Sequence, residues 1–137
     1  MPDDLIRRFN PPTVAPPVAR YSHGTVHALG PGVKRLVCAG QVGIAPDGRI
    51  AEGLAAQVEQ AWDNLLAVLA AENLGPEHIV KLTAFVADPS PDAVNVVREV
   101  RTRKLGQHAP SSTYLVVAGL ASPALKFEVE AEAVGPA

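Results

Sequence analysis

The fold is decided by Pro110–Val134, PSSTYLVVAGLASPALKFEVEAEAV, which contains two predicted strands and the turn between them. The first strand is predicted over 113–118 and the second over 125–134, with glycine, serine and proline between them. In the second strand apolar residues alternate with three acidic ones, Glu128, Glu130 and Glu132. This period of two places the two sets on opposite faces of the strand. A row of carboxylates is typical of a solvent-exposed sheet face, and the alternative is that Glu128 reaches into a functional site.

Length and composition favour a single domain that needs neither a disulfide nor a structural metal. The chain has 137 residues, enough to bury a core of its own. Its single cysteine, Cys38, excludes an intrachain disulfide, and the mid-strand position favours a buried, inert thiol. The four histidines show no pairing with cysteine or carboxylates at ligand spacing, so we expect neither a metal nor another cofactor.

Charge and hydropathy bear on the partners of the chain. The formal net charge is -2 and no basic stripe is present, which argues against nucleic acid. No apolar run approaches the roughly 18 residues of a membrane span. The acidic start, with Asp3 and Asp4, argues against a secretory signal. We therefore expect a cytoplasmic protein that binds neither nucleic acid nor a membrane.

The N-terminal third combines an arm with a hairpin. Residues 1–20 are rich in proline and form an arm that either adds an edge strand or crosses the surface. We expect this arm to pack on a single domain that covers 21–137. Two strands, Ser22–Leu29 and Lys34–Ala39, are predicted on either side of a Gly-Pro-Gly turn.

Two amphipathic helices are predicted further along the chain. Leu54–Leu74 has apolar residues at three- and four-residue spacing and is expected to end at Gly75 in the left-handed conformation. The strand Ile79–Val86 follows, and then a second helix with Ser90 as its N-cap. Four basic residues gather towards the C-terminus of that helix and are interpreted as a solvated face: Arg98, Arg101, Arg103 and Lys104.

The order of these elements indicates an α+β fold. A β-hairpin, a helix, a strand, a helix and two strands follow one another, and helices between strands imply crossovers and therefore a partly parallel sheet. Two amphipathic helices would cover one face of this mixed sheet. The other face would stay uncovered, and a monomer rarely leaves a large apolar surface bare, so we expect an oligomer.

Several segments recur in the order and spacing of a known family. They are Tyr21-Ser22-His23, Ala39-Gly40-Gln41, GLAAQVEQAWDNLLAVLAAENL, VKLTAFVAD, Asn95, Ala109-Pro110 and FEVEAEAV. Together they resemble the Rid (YjgF) proteins, the reactive-intermediate deaminases, whose older names describe translation inhibitors and endoribonucleases. The resemblance covers roughly residues 11–134. It implies a chorismate-mutase-like fold and a homotrimer with a central β-barrel and three inter-subunit clefts for small molecules.

The chemistry implied by the resemblance is hydrolysis of enamine and imine acids to keto acids and ammonia. It requires a cation for the substrate carboxylate and an acid–base group for water. By the resemblance, Glu128 positions the water and Tyr21 lines the pocket, and Thr113 and Asn95 join the substrate site. The family's arginine clamp falls on Ser112, which is a departure from the pattern.

Loss of that arginine predicts weak activity on simple α-imino acids. Two charge-assisted hydrogen bonds would vanish, each about 1.5–3 kcal/mol. Their loss corresponds to roughly two to four powers of ten in kcat/KM. Arg20 is the first candidate for a replacement cation, although an exposed charge on the arm is the plainer interpretation; Lys126 and His23 are weaker candidates.

Three classes of function follow from these patterns. The first is a deaminase-type hydrolase with reduced or altered activity on α-imino acids, acting on an imine, an enamine or another small carboxylate. The second is a trimer that binds a small ligand without catalysis. The third is a ribonuclease, which the absence of a basic surface and of exposed aromatic clusters disfavours.

Overall fold

The computed structural model describes residues 5–137, which form a six-stranded sheet with two helices on one face. Residues 1–4, which include Asp3 and Asp4 and begin the predicted arm, lie outside the described residues. The strands are β1 Ile6–Phe9, β2 Gly24–Gly30, β3 Val33–Val42, β4 Ile79–Val86, β5 Ser111–Val116 and β6 Phe127–Pro136. The helices are α1 Leu54–Ala70 and α2 Ala93–Leu105, with a short 3-10 helix at Pro76–His78.

The sheet is mixed, and its strands run in the order β1-β2-β3-β6-β4-β5. Every neighbouring pair is antiparallel except β4 and β5, which are parallel. A parallel pair needs a crossover connection, and α2 provides it between these two strands. The predicted α+β fold with two helices on one face is therefore confirmed.

The N-terminal arm combines both of the forms predicted for it. Its first part is β1, which pairs with β2 so that Phe9 lies opposite Gly24. The Phe9 ring fills the space where a side chain at position 24 would stand, so only glycine fits there. The remainder of the arm crosses the surface, where Val14 is buried against the core.

The C-terminal end of α1 differs from the prediction. The helix ends four residues before Leu74, and the left-handed residue is Asn73, with φ 59, rather than Gly75. The Leu74 N–H donates to the Leu69 carbonyl at 3.0 Å, as in a Schellman motif, in which asparagine can replace glycine. Gly75 is extended, with φ −129, because the following proline disfavours a helical conformation in the residue before it.

The start of α2 also differs, since the helix begins at Ala93 and not directly after Ser90. The Ser90 N–H donates to Asp88 Oδ1 at 3.0 Å, and the Ser90 carbonyl accepts from the Ala93 N–H at 3.2 Å. The Asp88 side chain thus closes a local turn that delays the helix. Gly106, with φ 63, follows the last helical residue.

The two faces of the sheet differ in chemistry. The helix-covered face is apolar and includes Leu36, Leu82 and Val129, all 1% exposed or less. The opposite face is mixed rather than mainly apolar, because it carries the Arg35–Glu132 ion pair at 2.9 Å beside exposed aliphatic side chains. The longest helix, α1, has 17 residues, and within 5–137 no helix has the length and apolarity needed to cross a membrane.

Candidate functional site

A cavity of about 410 Å³ lies under the arm, beside the irregularity in the β3–β6 pairing. We call it the Glu128 cleft, since Glu128 is the one charged residue among the described residues that line it. Its other lining residues are Val14, Ala15, Pro16, Val18, Ala19, Tyr21, His23, Ala39, Gly40, Gln41, Val42, Ile44, Asn64, Ala121 and Leu125. The cleft is thus largely apolar with one carboxylate, and its lining contains no lysine or arginine.

Glu128 occupies the cleft because of a local irregularity in β3. The register of β3 against β6 shifts between Cys38 and Gln41, and Gly40 lies within that shift. The Glu128 carboxylate lies directly over Gly40, where a Cβ atom would overlap it. Burial raises the pKa of the Glu128 carboxyl, and the nearby charge of Glu130 raises it further. The side chain is therefore suited to hold a proton nearer to neutral pH than an ordinary glutamate.

A hydrogen-bonded histidine, His23, lines the Glu128 cleft beside Tyr21. His23 Nε2 donates to the Ala15 carbonyl at 2.7 Å, because a carbonyl can only accept. Nδ1 then accepts from Gln41 Nε2 at 3.0 Å, an arrangement that fits a neutral imidazole. His23 is also buried, so this geometry disfavours it as the replacement cation. The ring instead fixes the arm and meets the ring of Tyr21 edge to face, with centroids 5.9 Å apart.

Two buried amides hold the outer parts of the cleft in place. Gln57 Nε2 donates to the Ala124 carbonyl at 2.9 Å, and its Oε1 accepts from the Lys126 N–H at 2.7 Å. These bonds tie α1 to the loop that leads into β6. Asn64 Nδ2 donates to the Val42 carbonyl at 3.0 Å, which anchors the end of β3. The position of Glu128 is therefore supported from both flanking segments.

A second cavity, of about 280 Å³, lies at the β5 edge of the sheet against the end of α2. We call it the Ser112 cavity. Its lining is polar and basic in part, with Ser112, Arg101, Thr102, Gln107 and His108, and among residues 5–137 it includes no acidic residue. Sequence patterns assigned Arg101 to a solvated face, and only the tertiary structure places it in one cavity with Ser112.

Within one chain Ser112 and Glu128 do not meet. Glu128 pairs with Phe85 on β4, and Phe85 pairs with Leu115 on β5. Two strand spacings separate the strands by about 10 Å, and Ser112 lies about 10 Å further along β5. Ser112 pairs with the buried Leu82, so its side chain is on the helix-covered face, opposite to the face of Phe85 and Leu115. Tyr21 and Glu128 share one cavity, and Ser112 lines another.

The other predicted site residues line neither cavity. Thr113 points to the face opposite to Ser112, where its Oγ1 accepts from Lys81 Nζ at 2.6 Å. Asn95 is exposed on α2, and Arg20 is exposed on the arm. Lys126 is exposed as well, and its contact with the site is through its backbone. Their roles stay predictions.

Other chemistry is limited in the described part of the chain. Burial raises the pKa of the Cys38 thiol to about 12, which agrees with an inert cysteine. Among residues 5–137, no group of three or more His, Cys, Asp or Glu side chains is arranged to hold a metal ion. The arm residues of the cleft, such as Val14 and Ala15, carry no sequence signal of a site, since single apolar residues among prolines have no periodicity.

Comparison with known proteins gives consistent matches. The family model described as Endoribonuclease L-PSP matches residues 12–135. A 2-iminobutanoate/2-iminopropanoate deaminase of Salmonella typhimurium is 33% identical over 115 residues, which cover 78% of this chain and 89% of that protein. A RutC family protein of Aquifex aeolicus is 36% identical over 85 residues, 61% of this chain and 63% of that protein. The crystal structure of RidA from an Antarctic Psychrobacter superposes with a TM-score of 0.81 at 25% identity, covering 93% of this chain and 98% of that one.

Proposed function

The chain belongs to the Endoribonuclease L-PSP family, the Rid (YjgF) proteins, and we propose that it hydrolyses a small imine or enamine in the Glu128 cleft. The observation that carries this proposal is a half-buried carboxylate of raised pKa in a largely apolar cavity. Burial and the charge of Glu130 raise the pKa of this carboxyl, which makes it a stronger proton acceptor than an exposed glutamate, and hydrolysis of a carbon–nitrogen double bond requires a group that accepts and returns a proton.

The reaction uses one carboxylate twice. The substrate reacts as the protonated imine: the Glu128 carboxylate takes a proton from water while the water oxygen bonds to the imine carbon and the carbon–nitrogen π electrons move to nitrogen, giving a neutral carbinolamine. The carboxyl then returns its proton to the amine nitrogen. As the carbon–nitrogen bond breaks and ammonia leaves with that electron pair, the carboxylate takes the hydroxyl proton of the carbinolamine, the carbonyl forms, and the carboxyl passes this proton to the ammonia. An enamine first takes a proton at carbon to become the imine. General acid–base catalysis of this kind contributes about 10²–10⁴ in rate.

The substrate's apolar part fits the arm side of the cleft. Val14 and Val18 from the arm and Ile44 beyond β3 supply an aliphatic wall, and Tyr21 stands at the mouth, 43% exposed. A carboxylate would find no cation in this cleft. With Ser112 at the position that resembles the arginine clamp, we propose reduced or altered activity on simple α-imino acids.

The homotrimer is part of the same proposal. Because the side chains of Ser112 and Glu128 lie on opposite faces of the sheet and line different cavities, a ligand would contact both if a second copy brought its β5 edge to the cleft. Light scattering during size-exclusion chromatography tests this, and a monomer at micromolar concentration would contradict it. The single buried, reduced cysteine also fits a cytoplasmic location.

The test is release of ammonia and keto acid from an imine generated in situ, such as 2-iminopropanoate, by wild type and Glu128→Gln. We expect a loss of about 10²–10⁴ in kcat/KM for the variant. Glu132→Gln is the matched control, since Glu132 lies on the same face of the same strand and its carboxylate pairs with Arg35. Equal activity of wild type and Glu128→Gln would remove the assigned role of Glu128.

A ligand-binding trimer without catalysis is the second candidate, and the absence of a cation from the cleft favours it. In that case wild type would bind an apolar carbonyl compound and accelerate no hydrolysis. A ribonuclease is disfavoured, because a cleft with one carboxylate and no lysine or arginine repels the phosphate backbone. RNA cleavage by wild type that disappears in Glu128→Gln would instead favour the ribonuclease over the hydrolase and the binding protein.

A further inference from the structure

We infer that the Ser112 cavity binds the carboxylate of a small organic acid and that Arg101, from α2, supplies the cation. This inference deepens the proposed function and rests on it for the identity of the acid. Arg101 and Ser112 line the same cavity, so the helix contributes a cationic residue where the strand contributes only a hydroxyl.

The basic residues of α2 divide into two groups by their partners. Arg103 Nη2 lies 2.9 Å from Glu59 Oε2, and Lys104 Nζ lies 2.6 Å from Asp63 Oδ1, so both cations bind α1. Arg101 has no ion pair with a carboxylate among residues 5–137 and instead lines the cavity, where it is half-buried. Of the C-terminal cluster, Arg101 alone therefore combines a position at a cavity with an uncommitted charge in the described part of the chain.

The remaining polar groups of the cavity suit an oxyanion. Ser112 and Thr102 offer hydroxyl donors. His108 Nε2 donates to the Ile79 carbonyl at 2.8 Å, which fixes that ring against β4. Because no acidic residue within 5–137 lines the cavity, a bound anion meets no opposing carboxylate from the described part of the chain.

The backbone opposes an anion only weakly. The cavity includes Leu105 and Gly106 at the C-terminus of α2, where the helix dipole is equivalent to about half a negative elementary charge. The guanidinium carries a full positive charge and a planar fork of donors that matches a carboxylate. The attraction of the guanidinium, reduced by the repulsion of the helix end, favours a monoanion over a phosphate dianion. A cavity of about 280 Å³ restricts the ligand to a small acid.

Binding of pyruvate, followed by calorimetry or ligand-observed NMR, tests the inference in the full chain. We expect Arg101→Gln to weaken pyruvate binding about tenfold or more, because it removes charge-assisted bonds. Arg101→Lys should give an intermediate loss, since it keeps the charge without the fork. Arg98→Gln is the matched control, because it removes the same charge from an exposed position one turn earlier on α2.

The outcomes separate the inference from the proposed function. Unchanged pyruvate affinity in Arg101→Gln and Arg101→Lys, equal weakening in Arg98→Gln, or tighter binding of inorganic phosphate than of pyruvate would each overturn the inference. Glu128→Gln should keep pyruvate affinity while losing hydrolysis. Arg101-dependent binding without imine hydrolysis by wild type would sustain the inference and refute the hydrolase. Hydrolysis by wild type without Arg101-dependent pyruvate binding would sustain the hydrolase and refute the inference.

Discussion

The Glu128 cleft and the Ser112 cavity differ in the two properties that matter for chemistry. The cleft is largely apolar and contains one carboxylate of raised pKa, whereas the cavity is partly polar and contains one guanidinium. Within one chain the carboxylate and the cationic residue line different cavities, so each is available to a different part of a ligand. Under the proposed function, each chain would therefore supply half of what hydrolysis of an imino acid needs.

The largest expected effect comes from recombining these halves. Chains with Glu128→Gln and chains with Arg101→Gln should each be strongly impaired, yet mixed oligomers from co-expression should recover at least about tenfold activity over either parent. Some interfaces of the mixture combine Glu128 of one chain with Arg101 of its neighbour. The measurement is pyruvate release by mixed oligomers purified through two different tags.

Co-expression of Glu128→Gln with the double variant Glu128→Gln/Arg101→Gln is the control for recombination. That mixture contains no intact Glu128, so its activity should stay at the background. If the first mixture is as inactive as its parents while both parents oligomerise, the two cavities do not form one site.

The next effect concerns the position of the guanidinium. Ser112→Arg in an Arg101→Gln background moves the cation from helix to strand and should restore about tenfold or more of the lost kcat/KM for 2-iminopropanoate. Adding Glu128→Gln should abolish the gain, since a positioned substrate still needs the acid–base group. If the Ser112→Arg/Arg101→Gln variant folds and forms a trimer yet shows no gain in kcat/KM, the cavity is shaped for another ligand.

Gly40→Ala tests how the Glu128 side chain is held. A methyl group at position 40 would overlap the carboxylate, so the side chain must move and kcat/KM should fall by about tenfold or more. The loss should disappear in a Glu128→Gln background, because the two changes act on one group. Gly119→Ala is the matched control, since open space surrounds Gly119. Equal losses in both glycine variants would contradict the proposed contact.

The smallest effect is a shift in pH dependence. The pKa of Glu128 is raised first by burial and then by the charge of Glu130, so Glu130→Gln should lower it slightly. The rate rises with pH as the base loses its proton, and therefore the acidic limb of kcat/KM should move to lower pH in the variant. Glu132→Gln, whose carboxylate already pairs with Arg35, should leave the limb in place. If wild type and Glu130→Gln have the same pH profile, the acidic limb does not report the ionisation of Glu128.

The fold was largely predictable because its signals are local and repeated. Alternation of apolar and acidic residues in 125–134 fixed a strand with two unlike faces, and spacing in Leu54–Leu74 fixed a helix with one apolar stripe. The helix end was missed by four residues, because both Asn73 and Gly75 can adopt a left-handed conformation and the proline after Gly75 excluded the second. The sequence did not determine whether the arm forms the edge strand β1, because a four-residue strand has too short a pattern to identify.

The candidate site was less predictable, because it depends on neighbours that are distant in sequence. Glu128, Glu130 and Glu132 follow the same alternation, and resemblance alone singled out the first of them. The register shift at Gly40 gives that carboxylate its place in the cleft. Likewise four basic residues lie towards the end of α2. Arg101 is a candidate for binding a carboxylate only because the tertiary structure places it in one cavity with Ser112.

By itself the sequence determined the α+β class, the helix-covered face and the inert cysteine, because these follow from periodicity and composition along the chain. The tertiary structure decided which carboxylate is half-buried, which cation lines a cavity and that Ser112 and Glu128 stand on opposite faces. The physical reason is that burial and electrostatic surroundings depend on strand register and on crossover packing. Both bring together residues such as Gly40 and Glu128, whose separation in sequence carries no local signal.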